Sequence, residues 1–301
     1  MPAMLRPLSQ LIAFCMMNST TAQPVGTWPN AKYKQAIIIG VEGLGGVYLR
    51  NTSTSDLPTL AEILGSDRSC VRLLARTEYP PSSAATWAST LTGMAPSETG
   101  IVSDDWDRNA LNPISLTDQS VPPISGRSEL IDESVDHASF RQFVGIDDDD
   151  KTVKKFIELL QSDKFPHLSF VQLSGVEHAG RSTFHGSDQY YEALARIDGM
   201  LGEIQDAVLR RSDGFETLIV LTSNHGGYGN SHEEWMRPTA QVPIVFANPR
   251  HPINVPGNKG WGGWLDIKEV VPSVLGALGV PRDAPSRDNL SSRVMIRLLL
   301  Q

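Results

Sequence analysis

The feature that most constrains this chain is a recurrence of short apolar runs separated by segments of helical spacing. Ala36 to Val41, Leu168 to Leu173, Thr217 to Thr222 and Pro243 to Phe246 are apolar runs of the length and character of buried strands. Between and after them, Asp56 to Leu64, Ser83 to Leu91, Thr152 to Leu160, Ser187 to Leu209 and Ile267 to Leu278 repeat apolar residues at helical intervals. In the fourth, Tyr191, Leu194, Ile197, Leu201, Ile204 and Val208 share one face. Strands alternating with helices predict an α/β fold whose mainly parallel sheet is flanked by helices on both faces. In such sheets ligands bind beyond the carboxyl ends of the strands, so polar residues placed there carry the functional information.

Length and charge narrow the classes further. With 301 residues, 40% of them hydrophobic, the chain can bury one large core. We read 31–301 as a single domain with an irregular insertion around 104–143, a segment rich in Pro, Ser, Asp and Asn that is either a lid or an inert surface excursion. A net charge of -8 repels phosphate backbones and anionic lipid, which argues against a nucleic acid polymer as partner. No run approaches the roughly 18 apolar residues of a membrane-spanning helix. Residues 1–30 read as a leader. Arg6, the stretch Leu8 to Met17 and then Thr20-Thr21-Ala22 follow the order of a short secretory signal, and the same composition suits a disordered start. The sequons at Asn18, Asn51 and Asn289 fit the first alternative, a secreted or extracellular protein. Cys15 lies in the leader and Cys70 stands alone, so a processed chain has no internal disulfide.

Three strand ends concentrate chemistry. Glu42 follows the first run and precedes Gly43, Gly45 and Gly46; a dinucleotide-binding turn is disfavoured because glycine would be needed where Tyr48 stands. Glu177-His178-Ala179-Gly180-Arg181 follows the second run, and Ser223-Asn224-His225-Gly226-Gly227 the third, with His232 seven residues later. Ser83 opens a helix whose free backbone N–H groups favour anions, so its hydroxyl is either a nucleophile or a cap.

These motifs occur in a familiar order. Gly40-Val41-Glu42-Gly43, Ser83 through Thr92-Gly93 and on to Pro96 and Gly100-Ile101, Glu177-His178-Ala179-Gly180, Tyr190 to Leu194 with Ile197-Asp198, and Ser223 to Gly227 resemble type I phosphodiesterase/nucleotide pyrophosphatase-like proteins of the alkaline phosphatase superfamily. The likeness spans about residues 35 to 280 and includes the Val274 to Val280 tail. It implies an alkaline phosphatase-like fold, two metal ions, usually zinc, and a covalent intermediate on Ser83. One ion would be held at Glu42, Asn224 and His225, the other at Glu177, Arg181 and His232, and Thr86 stands where relatives often carry a phosphoryl-binding Asn.

This sequence departs from that pattern. Of the six inferred ligand positions only His225 and His232 keep the expected residue; Glu42 and Glu177 keep a carboxylate on a longer stem, and Asn224 offers only a neutral amide oxygen. Arg181 cannot ligate, since its guanidinium stays protonated, but it can meet an anion directly. The expectation is a phosphoric ester hydrolase-like protein with an impaired zinc site holding one ion or none, taking a small-molecule phosphate ester or other anion. The alternative is a non-catalytic relative, a pseudoenzyme, that keeps the fold and binds an anion or a protein partner. Sulfatase-type chemistry is disfavoured because Ser83-Ala84-Ala85-Thr86-Trp87 lacks the Pro and Arg of the C/S-x-P-x-R context. Glu42, Ser83, Glu177, Arg181, Asn224, His225 and His232 are expected to meet in one cleft.

Overall fold

The computed structural model of the chain describes residues 31–53, 55–105, 148–163, 165–253 and 265–280. The leader and all of the 104–143 segment except its first two residues lie outside the described residues.

Five strands form one sheet in the order β2-β5-β4-β1-β3, with β1 Gln35–Val41, β2 Ser69–Arg76, β3 Leu168–Leu173, β4 Thr217–Thr222 and β5 Gln241–Ala247. The strand β1 pairs parallel with both β3 and β4, whereas β5 pairs antiparallel with β4 and with β2. Four strands therefore run one way and β5 alone is reversed. In chain order the helices are α1 Gly46–Asn51, α2 Pro58–Gly65, α3 Ser83–Thr92, α4 Pro96–Thr99, α5 Asp149–Leu160, α6 Gly175–Ser182, α7 Asp188–Arg210, α8 Arg237–Ala240 and α9 Val270–Ala277.

The central strands are buried at every position, β1 through Gln35 to Val41 and β4 through Thr217 to Thr222, as strands covered on both faces require. Alternation along β1 divides the core: Ile37, Ile39 and Val41 pack among α2, α5 and α7, while Ala36 and Ile38 pack with the α9 side. On that second side Trp87 of α3 meets Phe170 of β3 edge to face, ring centroids 5.3 Å apart. The buried stripe of α7 runs through Leu194, Ile197, Leu201, Ile204 and Val208 as the periodicity implies, but it opens on Tyr190, with Tyr191 only half-buried.

Strand β2 carries no apolar run in the sequence. It is an edge strand with Arg72 and Arg76 in it, and its register against β5 shifts between Arg72 and Ala75, which breaks the period-two signal.

Two carboxylates join elements far apart in sequence. Asp198 of α7 accepts from Leu60 N (2.7 Å) and Thr59 N (3.0 Å), the first-turn amides of α2, whose own N-cap residue Leu57 has no side chain to offer. Asp148 caps α5 through Lys151 N (2.8 Å), and its neighbour Asp149 accepts from Ser174 N (2.9 Å) and Gly175 N (2.8 Å), fixing the start of α6. The acidic run before Lys151 thus acts at helix ends.

Candidate active and metal-binding site

Because β1, β3 and β4 are parallel neighbours, their carboxyl ends share one sheet edge, and each delivers a segment there: Glu42 after β1, α6 with Glu177 after β3, and Ser223-Asn224-His225 after β4. The strand β2 runs the same way, so the stretch from Thr77 to Ser82 brings α3 and Ser83 to that edge, tied down by the Thr77 hydroxyl donating to Asn224 O. The turn after β1 is pinned by Tyr190, whose hydroxyl accepts from Gly45 N (3.2 Å) and donates to Gly43 O (3.0 Å). Ser223 Oγ adds a second anchor, accepting from Leu44 N (3.1 Å) and donating to His225 O (2.7 Å).

Ser83 is the first residue of α3 and is buried. Its hydroxyl donates to Glu42 Oε1 at 2.7 Å and lies 3.0 Å from His225 Nε2, while the N-cap Ser82 makes no side-chain capping bond. The Ser83 side chain therefore serves the cleft and does not cap the helix. Gln172 Nε2 donates to the other oxygen of Glu42 at 3.0 Å, a contact with no local mark in the sequence.

The imidazoles are oriented by carbonyls, which can only accept. His225 Nδ1 donates to Gly226 O (2.8 Å) and His232 Nδ1 to Pro81 O (3.0 Å), so both Nε2 atoms turn inward, and the rings stack with centroids 3.9 Å apart. Burial pushes His225 down to about 3, reinforced by His232 and His185 and opposed by Glu177 and the Gly226 carbonyl, so its ring is neutral at physiological pH. For Glu177 burial works against ionisation, but the His185 hydrogen bond and the surrounding imidazoles outweigh it and hold the carboxyl at about 2. Glu177 Oε1 is buried without a hydrogen-bond partner, 3.6 Å from His232 Nε2 and 4.0 Å from Arg181 Nε.

Glu177, His225 and His232 bring ligand atoms within 4.8 Å of one another. Two observations fit a cation there: the orphaned Glu177 oxygen faces an inward imidazole nitrogen, and the single proton of Ser83 lies between two acceptors, Glu42 Oε1 and the unprotonated His225 Nε2. Two imidazoles and one carboxylate are donors that suit a divalent transition-metal ion.

The remaining expected site residues fall as follows. Asn224 is buried at the same strand end, its Oδ1 accepting from Gly43 N at 3.4 Å and its Nδ2 without a partner. Arg181, one helical turn beyond Glu177, keeps its side chain 60% exposed at the rim. Thr86 is the correction. It lies one turn inside α3, fully buried, with its one hydroxyl proton engaged by Ser82 O (2.6 Å) and Ser83 O at 3.3 Å, so it has no donor left for a phosphoryl oxygen. Two residues that the sequence reading did not single out stand beside the site. His185 contacts Glu177 Oε2 at 3.1 Å, and Asp104 accepts from Ala84 N at 2.7 Å, the amide next to Ser83. A buried histidine in an aperiodic loop and an acid at the start of an apparent insertion carry no local signal that would mark them.

Residues 36–141 and 127–258 match the type I phosphodiesterase / nucleotide pyrophosphatase family. The chain belongs to that family. Matched structures of the same alkaline phosphatase-like fold are a 2-O GAG sulfatase (TM-score 0.62, 13% identity, 89% of this chain and 74% of that one) and a putative sulfatase from Bacteroides thetaiotaomicron VPI-5482 (TM-score 0.59, 14% identity, 89% and 75%). At that identity they speak for the fold alone. Among curated relatives, arylsulfatase K of Danio rerio is 26% identical over 102 residues, 31% of this chain and 18% of the relative. Arylsulfatase K of Rattus norvegicus is 27% identical over 97 residues, 31% and 16%. The match spans less than a fifth of either arylsulfatase. This type I phosphodiesterase family member thus has an alkaline phosphatase-like fold. Among its described residues no helix is long and apolar enough to cross a membrane.

Proposed function

We propose that this chain is a phosphoric ester hydrolase with a reduced metal site, using Ser83 as nucleophile and Glu177, His225 and His232 to hold one zinc ion where its relatives hold two. The observation that carries the reading is the double contact of Ser83 Oγ with Glu42 and His225 at 2.7 and 3.0 Å, beside a three-residue donor set. Zinc, when bound, lowers the pKa of an adjacent hydroxyl and stabilises charge on the transferring group. The chain supplies the rest. Ser83 Oγ attacks phosphorus and its proton passes to Glu42 Oε1; the bond to the ester leaving oxygen breaks, and that oxygen takes a proton from water. A second water then attacks the seryl ester, its oxygen going to phosphorus; Ser83 Oγ recovers its proton from Glu42, and the proton released by that water neutralises the hydroxide left by the first step. Arg181 at the rim pairs with the anionic oxygens of the substrate.

One observation favours the second reading, a non-catalytic anion binder. The Asp104 carboxylate sits on Ala84 N, where a substrate oxygen would otherwise find a donor, and burial raises its pKa against the opposing Ala84 hydrogen bond.

Metal analysis of purified protein, together with turnover of bis-p-nitrophenyl phosphate, p-nitrophenyl phosphate and p-nitrophenyl sulfate, separates the readings. The hydrolase reading expects about one zinc per chain and slow phosphoester cleavage that disappears in Ser83→Ala. Turnover that survives Ser83→Ala removes the nucleophile assignment, zinc without turnover leaves the non-catalytic reading, and preferred cleavage of the sulfate reassigns the ester class.

A further inference from the structure

His185 is buried and lies outside both ligand sets that the family resemblance implies. Its surroundings are built around it. The ring sits between two glycines: a Cβ on Gly180 would lie 2.6 Å from Nε2, and one on Gly227 would lie 2.3 Å from both Nε2 and Cε1, distances no side chain tolerates. Gly180 belongs to α6 and Gly227 to the segment after β4, so two site-bearing elements both leave room for this one imidazole. The ring also meets Tyr190 at a tilt, ring centroids 5.6 Å apart.

Both ring nitrogens face oxygens. Nδ1 donates to Gly229 O at 2.9 Å, the carbonyl that also accepts from the His185 backbone N–H at 2.8 Å, and Nε2 reaches Glu177 Oε2 at 3.1 Å. The turn carrying Gly229 is itself held, since Asn230 Nδ2 donates to Thr183 O (2.7 Å) and Arg181 O (3.1 Å). The Glu177 carboxylate is thereby held at one oxygen only. Oε2 is fixed from behind, and Oε1, without a partner, points at His232.

We infer that His185 is a positioning residue which holds Glu177 Oε2 so that Oε1 is presented to a divalent ion shared with His225 and His232. The inference rests on the one-ion site proposed above. In metal sites the outer partner that fixes a ligand's orientation commonly sets affinity by about 10 to 100-fold. Here the usual order is inverted, with an imidazole behind a carboxylate. Among the described residues no other hydrogen bond orients the Glu177 carboxylate, and Arg181 at 4.0 Å is too distant to do so.

Two near-isosteric polar replacements test it without emptying the slot. Gln places an amide near the position of Nε2, whereas Asn reaches only as far as Nδ1. Zinc chloride is titrated by calorimetry into wild type, His185→Gln, His185→Asn and Glu177→Ala, and apo stability in EDTA is followed by thermal melting. The expected result is zinc affinity within a few-fold of wild type for His185→Gln, a fall of roughly 10 to 100-fold for His185→Asn, and loss of binding in Glu177→Ala. A merely structural role would make affinity follow the apo melting temperature in both variants. Zinc binding by His185→Asn equal to or tighter than wild type overturns the positioning role while leaving the one-ion site standing. No zinc binding by wild type overturns the one-ion site instead, and the positioning role with it.

Discussion

Replacing Gly43 with Ala tests how the turn after β1 and the Glu177 helix share space. Gly43 has φ of 75°, and a Cβ there would lie 2.4 Å from Glu177 Oε2 and 2.9 Å from Glu177 Cα. The left-handed backbone costs a non-glycine residue about 1–2 kcal/mol. The near approach of the Glu177 main chain demands a shift of a few tenths of an ångström in α6, comparable to overpacking at roughly 1–3 kcal/mol. The sum, about 2–5 kcal/mol, is a large part of the ~5–15 kcal/mol that holds a domain together, so the variant should fold with a clearly lowered denaturant midpoint. Because the displaced atoms belong to Glu177, zinc affinity should fall by about tenfold or more as well. Gly199→Ala is the comparison: that glycine lies exposed on α7 with nothing within 4 Å of a Cβ, and Ala there should stabilise by about 0.5–1 kcal/mol. Guanidinium unfolding in EDTA and zinc titration of both variants give the answer. If Gly43→Ala behaves like Gly199→Ala in both measurements, the packing of Glu177 against this turn is misplaced.

Asp198→Ala removes both acceptors from the start of α2 and should cost about 3–6 kcal/mol in urea unfolding, with unchanged zinc stoichiometry, from the loss of two hydrogen bonds to a charged group; a cost under about 0.5 kcal/mol would show the amides find other partners. Asp104→Asn removes a negative charge from the amide beside Ser83 and should tighten binding of inorganic phosphate in calorimetry; unchanged or weaker binding would show that the carboxylate does not compete with anions there. His225 is depressed to about 3, so its contribution to apo stability is complete above the ordinary histidine range and should be lost as pH falls from about 6.5 through 3; a flat acid limb in EDTA would contradict its burial as a neutral ring. Glu269 is displaced the other way, burial raising it to about 7, so its contribution is present below pH 4.5 and lost as pH rises through 7. Glu269→Gln should therefore gain stability over wild type at pH 8 but not at pH 4, read from unfolding midpoints at both.

The plainest strands in the sequence, β1 and β4, are buried at every position, and β3 keeps an apolar run although it lies at the sheet edge with Phe170 and Gln172 partly exposed. β2 was hidden because an edge strand tolerates Arg72 and a register shift, and its pattern then resembles a loop. At the site, the residues directly after apolar runs could be placed by topology alone, which is why Glu42, Glu177 and His225 meet as expected. Thr86 shows the limit, since a hydroxyl one turn into a helix is satisfied by the carbonyl four residues back and has no cause to face a ligand. His185 shows the complement, as its place depends on the absence of side chains at Gly180 and Gly227, which no spacing rule records.

The reversal of β5 has a mechanical meaning. A strand parallel to β4 would have sent the connection after Thr222 across to the opposite end of the sheet. Antiparallel pairing returns it to the edge it left, so residues 223–240 form a strap fastened at both ends beside the cleft. His225 and His232 ride on that strap seven residues apart and stacked at 3.9 Å, with Trp235 further along leaning on Tyr79 at 5.5 Å. The two imidazoles are therefore held at one spacing by a strap anchored at both ends, and whatever occupies the space before them meets a pair already set in place.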